Sequence, residues 1–131
     1  MPVKQTQSAR RLLSCINAVL QKKATDIVVL NVIDMSSFAD YLLICSGATD
    51  RQVQAIAGAI QEYLKKEGIR PLGVEGEANA EWILLDYDDV VISVFQENIR
   101  AFYALENLWD APRMDVDENA TQVKKLTKEM A

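Results

Sequence analysis

Apolar residues first follow a helical rhythm. Between Gln7 and Lys23 they recur at Ala9, Leu12, Leu13, Ile16, Val19 and Leu20, the three-and-four spacing that lays one stripe along an α-helix. Thr6 or Ser8 is placed to cap it, and Lys22 and Lys23 near its end suit the negative pole of a helix dipole. The rhythm then changes. Asp26 to Ile33 (DIVVLNVI) and Tyr41 to Cys45 (YLLIC) are short runs rich in Val, Ile and Leu that predict strands. The brief connection between them permits antiparallel neighbours without a crossover helix. From Asp50 to Glu67 helical spacing returns at Val53, Ile56, Ala57, Ile60 and Leu64, with Thr49 or Asp50 as cap and Gly68 followed by Pro71 as the stop.

A short strand over Leu72 to Glu75 precedes two apolar runs, Ile83 to Asp86 and Val90 to Phe95, interrupted by the turn-prone Tyr87-Asp88-Asp89. They predict a β-hairpin with an acidic tip. Gln96-Glu97-Asn98 opens a last helix reaching about Trp109, and Asp110-Ala111-Pro112 ends it. Past Pro112 the composition turns polar, and Val123, Leu126 and Met130 form only a weak one-sided stripe. The pattern therefore predicts a domain over residues 1–111 and a mobile tail over 112–131. The fold class is α/β, in the order α-β-β-α-β-β-β-α, with helices packed on a mixed sheet of about five strands.

Composition narrows the function classes. At 131 residues, half hydrophobic and a quarter charged, the chain has the balance of an ordinary globular domain. Its apolar runs fall far short of the roughly 20 residues a membrane helix needs. No apolar segment follows the basic residues at the amino terminus, so the reading expects a cytoplasmic protein. Cys15 and Cys45 have apolar neighbours and match neither a disulfide framework nor a zinc spacing. Histidine is absent, which removes imidazole ligands and the commonest general base.

Charge is uneven. The basic side chains Lys4, Arg10, Arg11, Lys22 and Lys23 precede any acid, whereas Pro71 to Phe95 carries Glu75, Glu77, Glu81, Asp86, Asp88 and Asp89 with no Lys or Arg. The basic helix reads either as a phosphate contact or as a solvated face. An acidic, apolar-cored hairpin suits docking to a basic protein and disfavours nonspecific nucleic-acid binding. Trp82 and Tyr87 are its available aromatic anchors. The rival reading is catalytic: Asp86 and Asp88 could hold a divalent cation for nucleotidyl transfer. Yet the chain has no GxGxxG and no GxxxxGK[ST]. The reading expects no enzyme, no cofactor and no metal.

Four segments then carry a resemblance. SSFADYLLICSGATDRQVQAIA (Ser36 to Ala57), PLGVEGE (Pro71 to Glu77), WILLDYDDVVISVF (Trp82 to Phe95) and RAFYALENLW (Arg100 to Trp109) together closely resemble the ribosomal silencing factor family, also called the Iojap family, over about residues 7–110. The resemblance implies a fold related to nucleotidyltransferases without their catalytic residues, and a homodimer tendency. It also implies binding to the large ribosomal subunit at its joining face, through the fourteenth protein of the large-subunit series. Docking there would block the small subunit and repress translation under nutrient limitation. The expected contacts are Glu75, Glu77, Trp82, Asp86, Tyr87 and Asp88, with Asp40, Tyr41 and Arg51 as neighbours. Edge contact with ribosomal RNA would fall to Arg51 or the basic first helix. Two positions depart from the family pattern: Ser93, where histidine is frequent, and Asp88, where glycine is common.

Overall fold

The computed structural model describes residues 3–127 and Met130, with side chains from Gln7 onward. The chain forms helix α1 (Val3–Gln21), strands β1 (Thr25–Asn31) and β2 (Tyr41–Gly47), helix α2 (Asp50–Lys66), strands β3 (Gly73–Glu75), β4 (Trp82–Asp86) and β5 (Val90–Gln96), helix α3 (Glu97–Tyr103) and strand β6 (Arg113–Val116). The strands make one six-stranded sheet in the order β3-β4-β5-β2-β1-β6. Among the described residues only the β2–β5 pair is parallel, because α2 returns the chain between them.

Helices α1 and α2 close one face of the sheet. Leu12, Ile16 and Val19 from α1 and Val53, Ile56, Ile60 and Leu64 from α2 join Val29, Leu43, Ile83, Leu85, Ile92 and Val94 in a single buried cluster. A fully buried Leu, Ile or Val side chain is worth about 1.5–3 kcal/mol, so this face supplies most of the driving force for folding. Thr49 caps α2, its Oγ1 accepting from the Gln52 N–H at 3.1 Å. The opposite face holds a smaller cluster of Val28, Leu30, Val32, Ala39, Ile44 and Phe95, overlaid by Ile99, Leu105 and Trp109.

Residues 113–116, assigned by composition to a tail, form β6 antiparallel to β1, with Met114 and Val116 buried. The chain continues onto the helix-covered core: Asn17 and Val123 exchange two hydrogen bonds, of 3.1 and 2.8 Å, and Met130 is buried. Helix α1 begins before Ser8, so Ser8 is no cap. Helix α1 ends at Gln21, and Lys22 and Lys23 lie beyond it. Helix α3 stops at Tyr103 because Ala104 adopts a left-handed conformation (φ 44°). A 3-10 turn, Leu105–Asn107, follows. The Arg100 Nε donates to Glu106 across the break at 3.1 Å.

Candidate docking face

Trp82 is positioned by a turn that requires glycine. Gly76 has φ 90°, and a Cβ there would lie 2.1 Å from the Trp82 carbonyl oxygen, so no other residue fits without moving the backbone. The Ala80 N–H donates to the Gly76 carbonyl at 2.8 Å and the Gln96 N–H to the Glu81 carbonyl at 2.9 Å, which seats Trp82 at the start of β4 opposite Phe95. The Trp82 indole stacks on Phe95 with ring centroids 4.9 Å apart, and Tyr103 from α3 tilts against it at 4.7 Å. The indole N–H is buried and has no hydrogen-bond partner among the described residues.

Strand alternation places Leu84 and Asp86 of β4, Val91 of β5 and Leu42 of β2 on the same face as Trp82. All four are only half-buried, whereas Ile83, Leu85, Ile92 and Leu43, pointing to the helices, are fully buried. Helix α3 packs on β5 and β2 at this face, and Leu105 and Trp109 beyond it cover the β1 cluster, while Leu84 and Asp86 of β4 stay half-buried and Glu75 is exposed at the β3 edge. Phe102 is 84% exposed and Leu108 70%.

The expected contact residues do not form one cluster. Asp40, Tyr41, Asp86, Tyr87 and Asp88 gather where β2 and β5 begin and β4 ends; Trp82, Glu77 and Arg51 lie towards the other end of these strands, and Glu75 pairs midway with Leu84. Glu77, Asp88 and Arg51 are exposed. Tyr41 and Tyr87 are each 2% exposed, so neither offers a partner more than its backbone. The Tyr41 hydroxyl donates to the Met130 carbonyl at 2.7 Å. Among the described residues the Tyr87 hydroxyl has no hydrogen-bond partner, and burial pushes its phenol up to about 12. Desolvation also raises both thiols, Cys45 to about 12, which leaves them protonated and unreactive at neutral pH.

The acidic tip is less exposed than its sequence implies. Asp89 is buried, and its Oδ1 accepts from Arg11 of α1 at 2.8 Å while its Oδ2 lies 3.1 Å from the Ser8 hydroxyl. The same hydroxyl donates to Asp40 at 2.5 Å. Asp86 turns its Oδ1 back to the Asp88 N–H at 2.9 Å. Asp88 occupies the left-handed region (φ 72°), the conformation that glycine adopts freely and that Asp tolerates better than most residues. The three carboxylates therefore diverge, and among the described residues no group of three acidic or thiol side chains converges on a possible metal position.

Sequence reasoning missed Leu42, Leu84, Val91 and Tyr103 as surface candidates, and Arg11, Ser8 and Asp89 as an internal polar network. Period-two alternation shows which residues share a face. It does not show which face the helices leave uncovered.

Together these features define a small α/β domain with one sheet face closed by helices and the other half open. The same class is represented by crystal structures from Bacillus halodurans (41% identity, TM-score 0.72, 80% of this chain and 96% of that one) and Chromobacterium violaceum (31%, TM-score 0.76, 85% and 88%). A family model described as ribosomal silencing factor during starvation matches residues 5–131, and the chain belongs to that family. Among its relatives, the ribosomal silencing factor RsfS of Bacillus subtilis is 45% identical over 102 residues, 77% of this chain and 86% of that protein. A mouse protein named for mitochondrial assembly of the ribosomal large subunit is 27% identical over 103 residues, 76% of this chain and 45% of that protein. Among the described residues no helix is long and apolar enough to cross a membrane.

Proposed function

We propose that this protein is a noncatalytic ribosomal silencing factor of the cytoplasm. It binds the large ribosomal subunit at the joining face through the fourteenth large-subunit protein, blocks entry of the small subunit and represses translation when nutrients are limiting. The relation to nucleotidyltransferases implied by the resemblance is part of the same reading, as a shared architecture without the chemistry.

The observation that carries the proposal is the half-open sheet face around Trp82, flanked by Glu75 and Asp86, on a chain of this family. A basic ribosomal protein would be steered by the carboxylates and held by a few desolvated apolar anchors. Trp82, Leu84 and Val91 are the anchors, Glu75, Glu77, Asp86 and Asp88 the steering charges, and Asp40 and Arg51 the rim. The free protein forms a homodimer, and ribosomal RNA meets Arg51 or the exposed Arg10 of α1 at the edge.

Pelleting with separated subunits tests this. The protein should sediment with large and not small subunits, and reversing Glu75 and Glu77 to lysine should weaken binding and its salt dependence. Equal pelleting with both subunits, or indifference to the reversals, would count against the proposed face.

A further inference from the structure

A buried indole N–H without an acceptor is an unusual thing to find on a surface meant for docking. The Trp82 ring is half-buried, yet its nitrogen is shielded from solvent and makes no hydrogen bond among the described residues. Leaving a buried donor unpaired carries a penalty that persists until an acceptor arrives. Two rings crowd the indole. Phe95 stacks beneath it and is wholly buried, so it cannot move without opening the core. Tyr103 lies against it at 4.7 Å with an interplanar angle of 50°, and is 49% exposed.

Tyr103 is also the last residue of α3, followed by the left-handed Ala104. Its backbone is held in place by its helix neighbour Arg100, which is buried and donates to the Asp26 carbonyl, to the Ser46 hydroxyl at 2.9 Å and to Glu106. A change of side-chain rotamer can therefore lift the Tyr103 ring away while α3 stays seated. No comparable freedom exists on the Phe95 side.

We infer that Tyr103 is a rotameric lid over the Trp82 indole N–H, and that the docking partner displaces it and supplies a hydrogen-bond acceptor, a backbone carbonyl set among apolar side chains. This inference rests on the ribosomal reading above and adds the chemistry by which that face selects its partner. The carboxylates steer encounter but cannot distinguish one basic protein from another. A donor satisfied only by a correctly placed carbonyl can, because a partner lacking it leaves the N–H buried and unpaired.

The test replaces Trp82 with benzothienylalanine, which keeps the bicyclic shape and removes the N–H. Because the lost donor has no partner in the free protein, the melting temperature should be unchanged or raised. Affinity for purified large subunits should fall roughly tenfold, the effect of one hydrogen bond made only on binding. Unchanged affinity overturns the inference, and so does a lowered melting temperature with binding lost in proportion, which would assign the indole a packing role. If wild-type protein binds no large subunits, the ribosomal reading fails and takes this inference with it, an outcome distinct from either. The lid has its own readout. In a Trp109→Phe background, Tyr103→Ala should increase acrylamide quenching of Trp82 while Tyr103→Phe leaves it as in wild type; equal quenching in all three removes Tyr103 from the role.

Discussion

Replacing Arg11 with methionine keeps an apolar stem on α1 and removes the cation that faces Asp89. The Asp89 carboxylate has 6% of its side chain exposed and the Arg11 side chain 29%. With the guanidinium gone, Oδ1 loses its 2.8 Å partner, and Oδ2 keeps, among the described side chains, a 3.1 Å contact with a Ser8 hydroxyl whose proton goes to Asp40. Breaking a fully buried pair from one side costs about 3–5 kcal/mol, whereas exposed pairs are worth about 0–1. Partial access of water at Arg11 places this case between them, at about 2 kcal/mol. For 131 residues the unfolding entropy is roughly 0.28 kcal/mol/K, so the melting temperature should fall by about 7 °C. Calorimetry together with urea unfolding measures it, and Asp89→Asn added to the Arg11 variant should recover much of the loss. A loss below about 0.5 kcal/mol would refute the reasoning, since it would mean that water already solvates Asp89.

The two buried tyrosines should respond with opposite signs. Tyr87→Phe deletes an unpaired hydroxyl and should stabilise by about 1 kcal/mol, whereas Tyr41→Phe leaves the Met130 carbonyl without its 2.7 Å donor and should destabilise by about 1 kcal/mol. Urea midpoints of the two variants decide the matter. Folding raises the Tyr87 phenol from 10.0 to about 12, so its neutral form is favoured in the native state. That stability is complete below pH 10 and is lost as pH rises towards 12, and Tyr87→Phe should make the alkaline decline shallower. Gly76→Ala forces a Cβ to within 2.1 Å of the Trp82 carbonyl at φ 90°, and should cost about 3 kcal/mol or more. Its near-ultraviolet circular dichroism should report a displaced indole, and a wild-type spectrum with wild-type stability would contradict the turn geometry.

Most of the sheet was legible because its strands announce themselves by β-branched runs and its helices by stripes of Val, Ile and Leu. Where legibility failed, physical reasons are identifiable. The four residues of β6, alternating Arg113, Met114, Asp115 and Val116, carry the period of an edge strand, but one flanked by polar chain and charged on its outer side, as exposed edges usually are. Ala104 carries no glycine-like signal of its left-handed backbone. The hairpin tip reads as a uniform acidic patch because charge was counted along the chain, while Arg11 arrives from 78 residues away to neutralise Asp89. Tyr41 and Tyr87 look like anchors for the same reason that they serve as core: both roles favour a large ring, and only the packing of α1 and the chain's end decides between them. Trp82 reads from the sequence as an anchor, and the structure makes it partly core as well, stacked on Phe95 yet at the margin of the open face.

Occupation of the large subunit, as proposed above, should prevent subunit joining. Purified large subunits preincubated with the protein and then mixed with small subunits, resolved on a sucrose gradient, test it most directly. The account predicts that joined ribosomes decline as protein is added, that the protein migrates with free large subunits, and that Trp82→Ala, verified as folded, loses both effects. Undiminished joining while the protein remains bound to the large subunit would contradict it.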